Sequence, residues 1–240
     1  KKAKVITCIA MFYDLDEPID FLNDVKEVLD DDGLFVIQMS YTPLMIRQLA
    51  FDNICHEHVY YWSLNSLEKL MIEAGLKIVD CQLNDVNGGS FRVYIKKIKS
   101  DITKFATRPY RDVCDVRIES IRKWENTQYL DSIKTWLDFY LGIEDLKKQT
   151  VDFIKEEKSK GKTICGYGAS TKGNTLLQYF GLDNTLIDAI AERSPYKFGH
   201  KTIGTNIPIL SEDDVRKMKP DYMLVLPWHF ISEFTEREKE

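Results

Sequence analysis

No two cysteines in this chain are spaced as CxxC. The five present (Cys8, Cys55, Cys81, Cys114 and Cys165) are far apart and odd in number. That excludes a disulfide framework and a thiolate zinc site built from neighbouring residues. It reads as free thiols in a reducing cytosol, so a cytoplasmic location is expected. No apolar run approaches the roughly 20 residues that span a bilayer, so no membrane partner is expected. Excess positive charge is also lacking. Lys and Arg total 33 against 38 Asp and Glu, a net charge of −5, and no basic field favours nucleic acid. No internal repeat and no low-complexity stretch occurs. The chain begins KKAKVITCIAMF, almost directly in a strand, so no secretory leader is expected in this stretch. Such a start is expected where residue 1 is not a domain's natural beginning. Glycine is scarce where a nucleotide cofactor needs it. The first strand runs into MFYDLDEP, without the glycine-rich turn of a dinucleotide fold.

What is present is an α/β pattern. With 240 residues, 44% of them hydrophobic, the chain has enough for one large core or two modest ones. Val5–Phe12 is a continuous apolar run, expected to be a strand covered on both faces. Pro18 suits a helix's first turn, and Ile19, Leu22, Val25 and Leu29 recur at helical spacing. Asp30–Gly33 reads as a stop and Leu34–Met39 as a second strand, completing a parallel βαβ unit. A loop follows from Ser40. Asn65 with Glu68 resembles a capping box for the next helix, which Gly75 ends. Leu76–Leu83 and Phe91–Ile98 read as antiparallel strands joined by Asn87-Gly88-Gly89-Ser90. Helical spacing over 101–160 predicts two or three helices. A second α/β unit then follows: strand Thr163–Gly166, helix Asn174–Phe180, strand Leu186–Ala191, helix Glu212–Met218 and strand Tyr222–Leu226. The expected layout is a first α/β domain over 1–100, a helical linker over 101–160 and a Rossmann-like domain over 161–240.

Two clusters carry chemistry. FDNICHEHVYYW at 51–62 holds two of the chain's four histidines beside a glutamate, a cysteine and aromatics. Histidine titrates near neutrality and serves as a general base. His56, Glu57 and His58 are therefore candidate catalytic residues. Alternation puts His56 and His58 on one face if the segment is extended, so the sequence does not separate a base from a structural histidine. A metal reading lacks a third ligand at an obvious spacing, and no metal site is expected. Phe51 and Trp62 read first as core.

GYGASTKGN at 166–174 follows a strand and opens a helix, a setting that suits a pyrophosphate. Gly168 permits the turn, and Ser170, Lys172 and Asn174 are candidate phosphate contacts. Glu192 ends the next strand, 24 residues after Gly168, near the ribose-binding position of a dinucleotide site. That leaves a rival reading as an NAD-dependent oxidoreductase or a sugar-nucleotide-binding module. The spacing GxGxxxxG departs from GxGxxG. Arg92 suits a phosphate or an exposed strand position equally, and Asn87 is a turn residue on any reading.

Strand, DLDEP, helix, DDG and strand resemble the later half of a class I S-adenosylmethionine-dependent methyltransferase. FDNICHEHVYYWSL, NDVNGGSFRVYI, GYGASTKGNTLLQYFG, GTNIPIL and KPDYMLVLPWHF resemble the deoxysugar C-methyltransferase family over nearly the whole chain. The resemblance implies a partial methyltransferase sheet plus a second Rossmann-like unit joined by helices. It implies methyl transfer from S-adenosylmethionine to a carbon of a nucleotide-linked keto-sugar. His58 is then the base and Glu57 its support. Met11 and Phe12 lie at the cofactor, Asn87 at the mouth of the site, and the second cluster on the sugar nucleotide's phosphates. Many family members carry a tyrosine at the position of Cys55, and its hydroxyl is missing here. They also carry an N-terminal zinc module and the glycine-rich cofactor loop, neither of which is in this sequence. The resemblance therefore implies a fragment of a longer protein, with zinc confined to the missing module.

Overall fold

The computed structural model describes residues 1–101, 103, 105 and 107–239. They form two compact units. The first comprises Lys1–Ala50 and His56–Asp138, and the second Phe51–Cys55 and Phe139–Glu240. The stretch expected as a linker is thus shared between them.

In the first unit, β1 (Ala3–Ile9) leads through a short turn to α1 (Pro18–Val28) and β2 (Leu29–Ser40), which pairs parallel to β1. After β2 come α2 (Thr42–Arg47) and α3 (Leu64–Glu73). The antiparallel strands β3 (Leu76–Asn84) and β4 (Ser90–Lys97) follow, then α4 (Arg108–Asn126). The sheet order is β1-β2-β4-β3, with β4 antiparallel to β2. The parallel pair and the closing hairpin are as the sequence predicts.

Four details differ from expectation. β1 is an edge strand among the described residues, and Val5 and Ile9 are half exposed rather than covered. The acidic run does not end a helix before a separate strand. It lies inside β2 as an irregularity, where Ala3 faces Leu29 but Val5 faces Leu34. Gly33 is required there, since a Cβ would sit 2.7 Å from Leu29 Cδ1. Thr42-Pro43, read as loop, starts α2, because proline in a first turn costs no hydrogen bond. The capping box of α3 is Ser63 with Ser66, not Asn65 with Glu68. Glu68 instead accepts from Arg122 on α4 at 2.7 Å.

The core of this unit gathers Phe12, Leu22, Phe35, Ile37, Met39, Tyr41 and Phe91 from loop, helix and sheet. Trp62 joins it, with Leu67 from α3 and Ile118 and Ile121 from α4. The carboxylate of Glu125, on the last turn of α4, is buried. It accepts from Tyr41 Oη at 2.6 Å and from the backbone N–H groups of Leu64 at 2.7 Å and Asn65 at 2.9 Å. It therefore sits on the positive N-terminus of α3. Asp80 on β3 is likewise buried and held by a two-pronged pair with Arg117 of α4.

In the second unit, most of α5 (Ile133–Ser159) precedes β5 (Ile164–Tyr167), α6 (Thr171–Phe180), β6 (Ile190–Glu192) and β7 (Ile209–Ser211). Then come α7 (Glu212–Met218), β8 (Tyr222–Val225) and α8 (Ile231–Arg237). The sheet is wholly parallel, in the order β7-β6-β5-β8. The strand expected over Leu186–Ala191 is only three residues long, and β7 went unpredicted. Three residues carry too little periodicity to stand out from a Pro/Gly-punctuated stretch. Cys165, Tyr167, Ala189, Ala191 and Val215 pack its core. The chain leaves β5 toward β6 on one side and returns to β8 on the other. That reversal is where doubly wound sheets open a crevice at their carboxyl ends.

Candidate active site

In the first unit the chemistry gathers beyond the carboxyl end of β1. Ala10 takes a left-handed φ of 52° and donates to Gln38 O at 2.8 Å. The chain then turns through Phe12–Asp14. Tyr13 O accepts from two backbone N–H groups of the His-Glu-His stretch, Val59 at 2.9 Å and Tyr60 at 3.1 Å. Tyr60 Oη donates to Asp16 O at 3.3 Å, and its ring stacks on Trp62 with centroids 5.3 Å apart. These contacts seat the His58 ring on the Tyr13 ring, 4.2 Å between centroids.

The segment turns at Cys55–Glu57 and so is not extended there. That separates the two histidines. His58 is half-buried, while the His56 side chain is 84% exposed and only 4.0 Å from Glu57 at its nearest. Asp14, overlooked in the sequence because DLDEP reads as a helix start, belongs to this cluster. Although Asp14 is exposed, partial desolvation raises its carboxyl above the usual carboxylate range; His58 opposes that shift and Glu57 adds to it. An imidazole with a carboxylate in its electrostatic reach, as His58 has in Asp14, can take a proton and have the resulting charge balanced. Met11 is half-buried at the same strand end, whereas the Phe12 side chain lies wholly in the core.

Arg92 lies mid-strand in β4, where its Nε donates to Gln38 Oε1 at 2.8 Å. Asn87 takes a left-handed φ of 55° in the turn before β4. Gly89 in that turn has φ 128°, and a Cβ there would meet Leu44 Cβ at 2.9 Å. Both candidates belong to the first unit; Gly168, Ser170, Lys172 and Asn174 belong to the second.

In the second unit β5 ends at Tyr167, and Gly168 turns the chain with φ 85° under Pro227, which a Cβ would meet at 2.8 Å. Ser170 caps α6, its Oγ accepting from Gly173 N at 3.0 Å. Gly173 packs on Leu226, and Asn174 N donates to Ser170 O. Glu192 is turned inward. One oxygen accepts from Ala169 N at 2.9 Å, the other from Arg193 N and Ser194 N, both at 2.9 Å. Lys197 donates to Ala169 O at 2.5 Å. Glu192 therefore fastens the loop. A cavity of about 310 Å³ opens at the carboxyl ends of these strands. Gly168, Ser170, Glu192, Phe230 and Arg237 are among its lining residues. Lys172 instead lies 3.6 Å from the buried carboxylate of Asp52. No group of three or more metal-ligating side chains occurs among the described residues, and no described helix is long and apolar enough to cross a membrane.

The second unit thus carries a parallel sheet with a glycine turn and a capped helix at its switch point, and the first carries His58 and Asp14 beyond a strand end. Residues 85–240 match the model of the C-methyltransferase C-terminal domain family, and the chain belongs to that family. Residues 1–80 match a methyltransferase domain model. The C-methyltransferase NovU of Streptomyces niveus is 34% identical over 233 residues, covering 97% of this chain and 52% of the relative. The chain thus spans about half the length of that relative. Among solved structures, mitomycin 7-O-methyltransferase MmcR matches 40% of this chain and 30% of its own at 15% identity and a TM-score of 0.35. An S-adenosylmethionine-dependent methyltransferase from Clostridium acetobutylicum matches 40% of this chain and 59% of its own, at 14% and 0.33.

Proposed function

We propose that the whole protein transfers a methyl group from S-adenosylmethionine to a carbon of a nucleotide-linked keto-sugar, with His58 as the base. The observation that carries this reading is the seating of His58 on Tyr13, in electrostatic reach of Asp14, at a strand's carboxyl end. A carbon next to a ketone becomes a nucleophile only when its proton is removed, and that needs a positioned base. His58 accepts the proton and becomes imidazolium, and the C–H electron pair passes into the enolate. Asp14 and Glu57 stabilise the new positive charge. S-adenosylmethionine supplies the electrophilic methyl group when bound. Half-buried Met11, with the backbone of Phe12, offers an apolar wall for it. The loop from Gly168 to Asn174 holds the pyrophosphate, with Ser170 and Lys172 at the mouth of α6. Arg92 and Asn87 are further substrate contacts.

The NAD reading needs a carboxylate open to ribose hydroxyls, and Glu192 is spent on three backbone N–H groups. That favours a phosphate-binding role for the loop without a redox cofactor.

The test is deuterium wash-in. The whole protein and its His58→Ala variant are incubated with a nucleoside-diphosphate keto-sugar in D₂O, without methyl donor. Exchange at the carbon beside the ketone is expected to slow by about 10²–10⁴ in the variant, the usual contribution of a general base. Exchange within about threefold of the parent would remove His58 from that role.

A further inference from the structure

Lys172 stands in the first turn of α6, and its side chain is 18% exposed. Its ammonium lies 3.6 Å from Asp52 Oδ2, a carboxylate with a side chain only 3% exposed. The same oxygen accepts from Trp228 Nε1 at 3.2 Å. Asp52 is carried by the short turn Phe51–Asn53, which packs on α6. Phe51 stacks on Phe180 with centroids 5.2 Å apart and lies tilted against Tyr179 at 5.3 Å. All these residues belong to the second unit.

Next to them, His229 has its Nδ1 buried without a hydrogen-bond partner, and its ring lies against Phe230 at 4.4 Å. Burial, then the neighbouring Lys172, lowers its pKa, against a raising effect of Asp52. The imidazole is thus neutral at pH 7, and the local charges are Asp52 and Lys172.

We infer that Asp52 is the positioning residue for Lys172: a buried carboxylate, fixed by Trp228, that holds the ammonium at the mouth of α6 where a nucleoside diphosphate is bound. The inference rests on the reading of Lys172 as a phosphate contact. A lysine stem loses much rotamer freedom on binding an anion, so a residue that restrains it beforehand improves affinity. The ion pair, at 3.6 Å, fixes the place of the ammonium. A purely structural pair would contribute to folding and leave nucleotide affinity alone.

The test is a double-mutant cycle on nucleoside diphosphate binding, read by calorimetry with ADP, GDP, CDP, UDP and thymidine diphosphate. Asp52→Asn and Lys172→Met are each expected to weaken the best binder by about tenfold, and the double variant hardly more than either alone, the signature of residues acting as a unit. In the whole enzyme, Asp52→Asn is expected to raise KM while kcat stays within about threefold, as for lost binding that ground and transition states share. If Lys172→Met weakens binding but Asp52→Asn does not, or tightens it, Asp52 has no positioning role and the phosphate reading stands. Additive losses overturn the inference in the same way. If Lys172→Met leaves binding unchanged, both the phosphate reading and the inference fall. Should Asp52→Asn not fold, Trp228→Phe decides, since it releases the carboxylate without changing charge: weaker binding supports the inference and unchanged binding overturns it.

Discussion

Glu125 shows how much one side chain can organise without announcing itself. In the sequence it is one acid in a charged helix, three residues after Arg122, and nothing in its spacing marks it as buried. Its partners Tyr41 and the α3 N-terminus lie 84 and about 60 positions away, a distance no local pattern spans. Removing its carboxylate strands two buried donors, each costing roughly 1–3 kcal/mol, and a third that is half-buried. Glu125→Ala should therefore destabilise the first unit by about 3 kcal/mol or more in urea melts, and Glu125→Gln by less, since one acceptor oxygen remains. The catalytic candidates were more legible, because their residue types are rare and crowded together. Even so, only the turn at Cys55–Glu57 and the seat on Tyr13 distinguish His58 from His56. Asp14 was hidden by its helix-starting surroundings.

At the scale of elements, long periodic segments were readable and short or irregular ones were not. The helices α1, α6 and α7 and the β3–β4 hairpin stand where hydrophobic spacing and glycine turns put them. The bulged acidic start of β2, the six-residue α2 and the three-residue β7 escaped, because each owes its form to its neighbours rather than to its own pattern. The loop between β5 and α6 makes a testable element. Gly168→Ala adds a Cβ at a φ of 85°, only 2.8 Å from Pro227, and should cost about 1–3 kcal/mol. It should also weaken nucleoside diphosphate binding, and a binding curve alongside the melt checks both. By contrast, Ser63→Ala at the capping box of α3 should cost about 1 kcal/mol and leave that binding unchanged.

Two properties belong to the molecule as a whole. Cys8, Cys81, Cys114 and Cys165 are buried, and Cys55 is half-buried. Burial pushes the thiols of Cys8 and Cys165 up to about 11 and also raises Cys81 and Cys114. A thiol reagent at pH 8 should therefore modify Cys55 first, with the other four reacting only after unfolding, as a titration with and without denaturant would show. Acid should act unevenly on the two units. Burial alone would raise the Glu192 carboxyl, but the N–H groups of Ser194 and Ala169, then Lys197, hold it below its ordinary value. Arg216 first, against burial, does the same for Glu238. A depressed carboxyl contributes stability that is present above its unfolded pKa of about 4.3 and is lost as pH falls through the folded value. Asp14 in the first unit is raised and works in the opposite sense. Hydrogen exchange followed from about pH 5 down to about pH 3 should show protection falling first in residues 161–239, and Glu192→Gln should flatten that fall.

The five residues Phe51–Cys55 belong to the second unit, although the chain on either side of them belongs to the first. The polypeptide therefore passes from one unit to the other three times, after Ala50, after Cys55 and after Asp138. No single cut can free either unit whole. A protein expressed from Phe139 onward would lack Phe51, leaving Phe180 without its stacking partner, and would lack Asp52, leaving Lys172 without its counter-charge. Recombining this family by swapping one terminal portion for another faces the same obstacle: the exchanged portion must bring a matching five-residue graft from the other side of the junction.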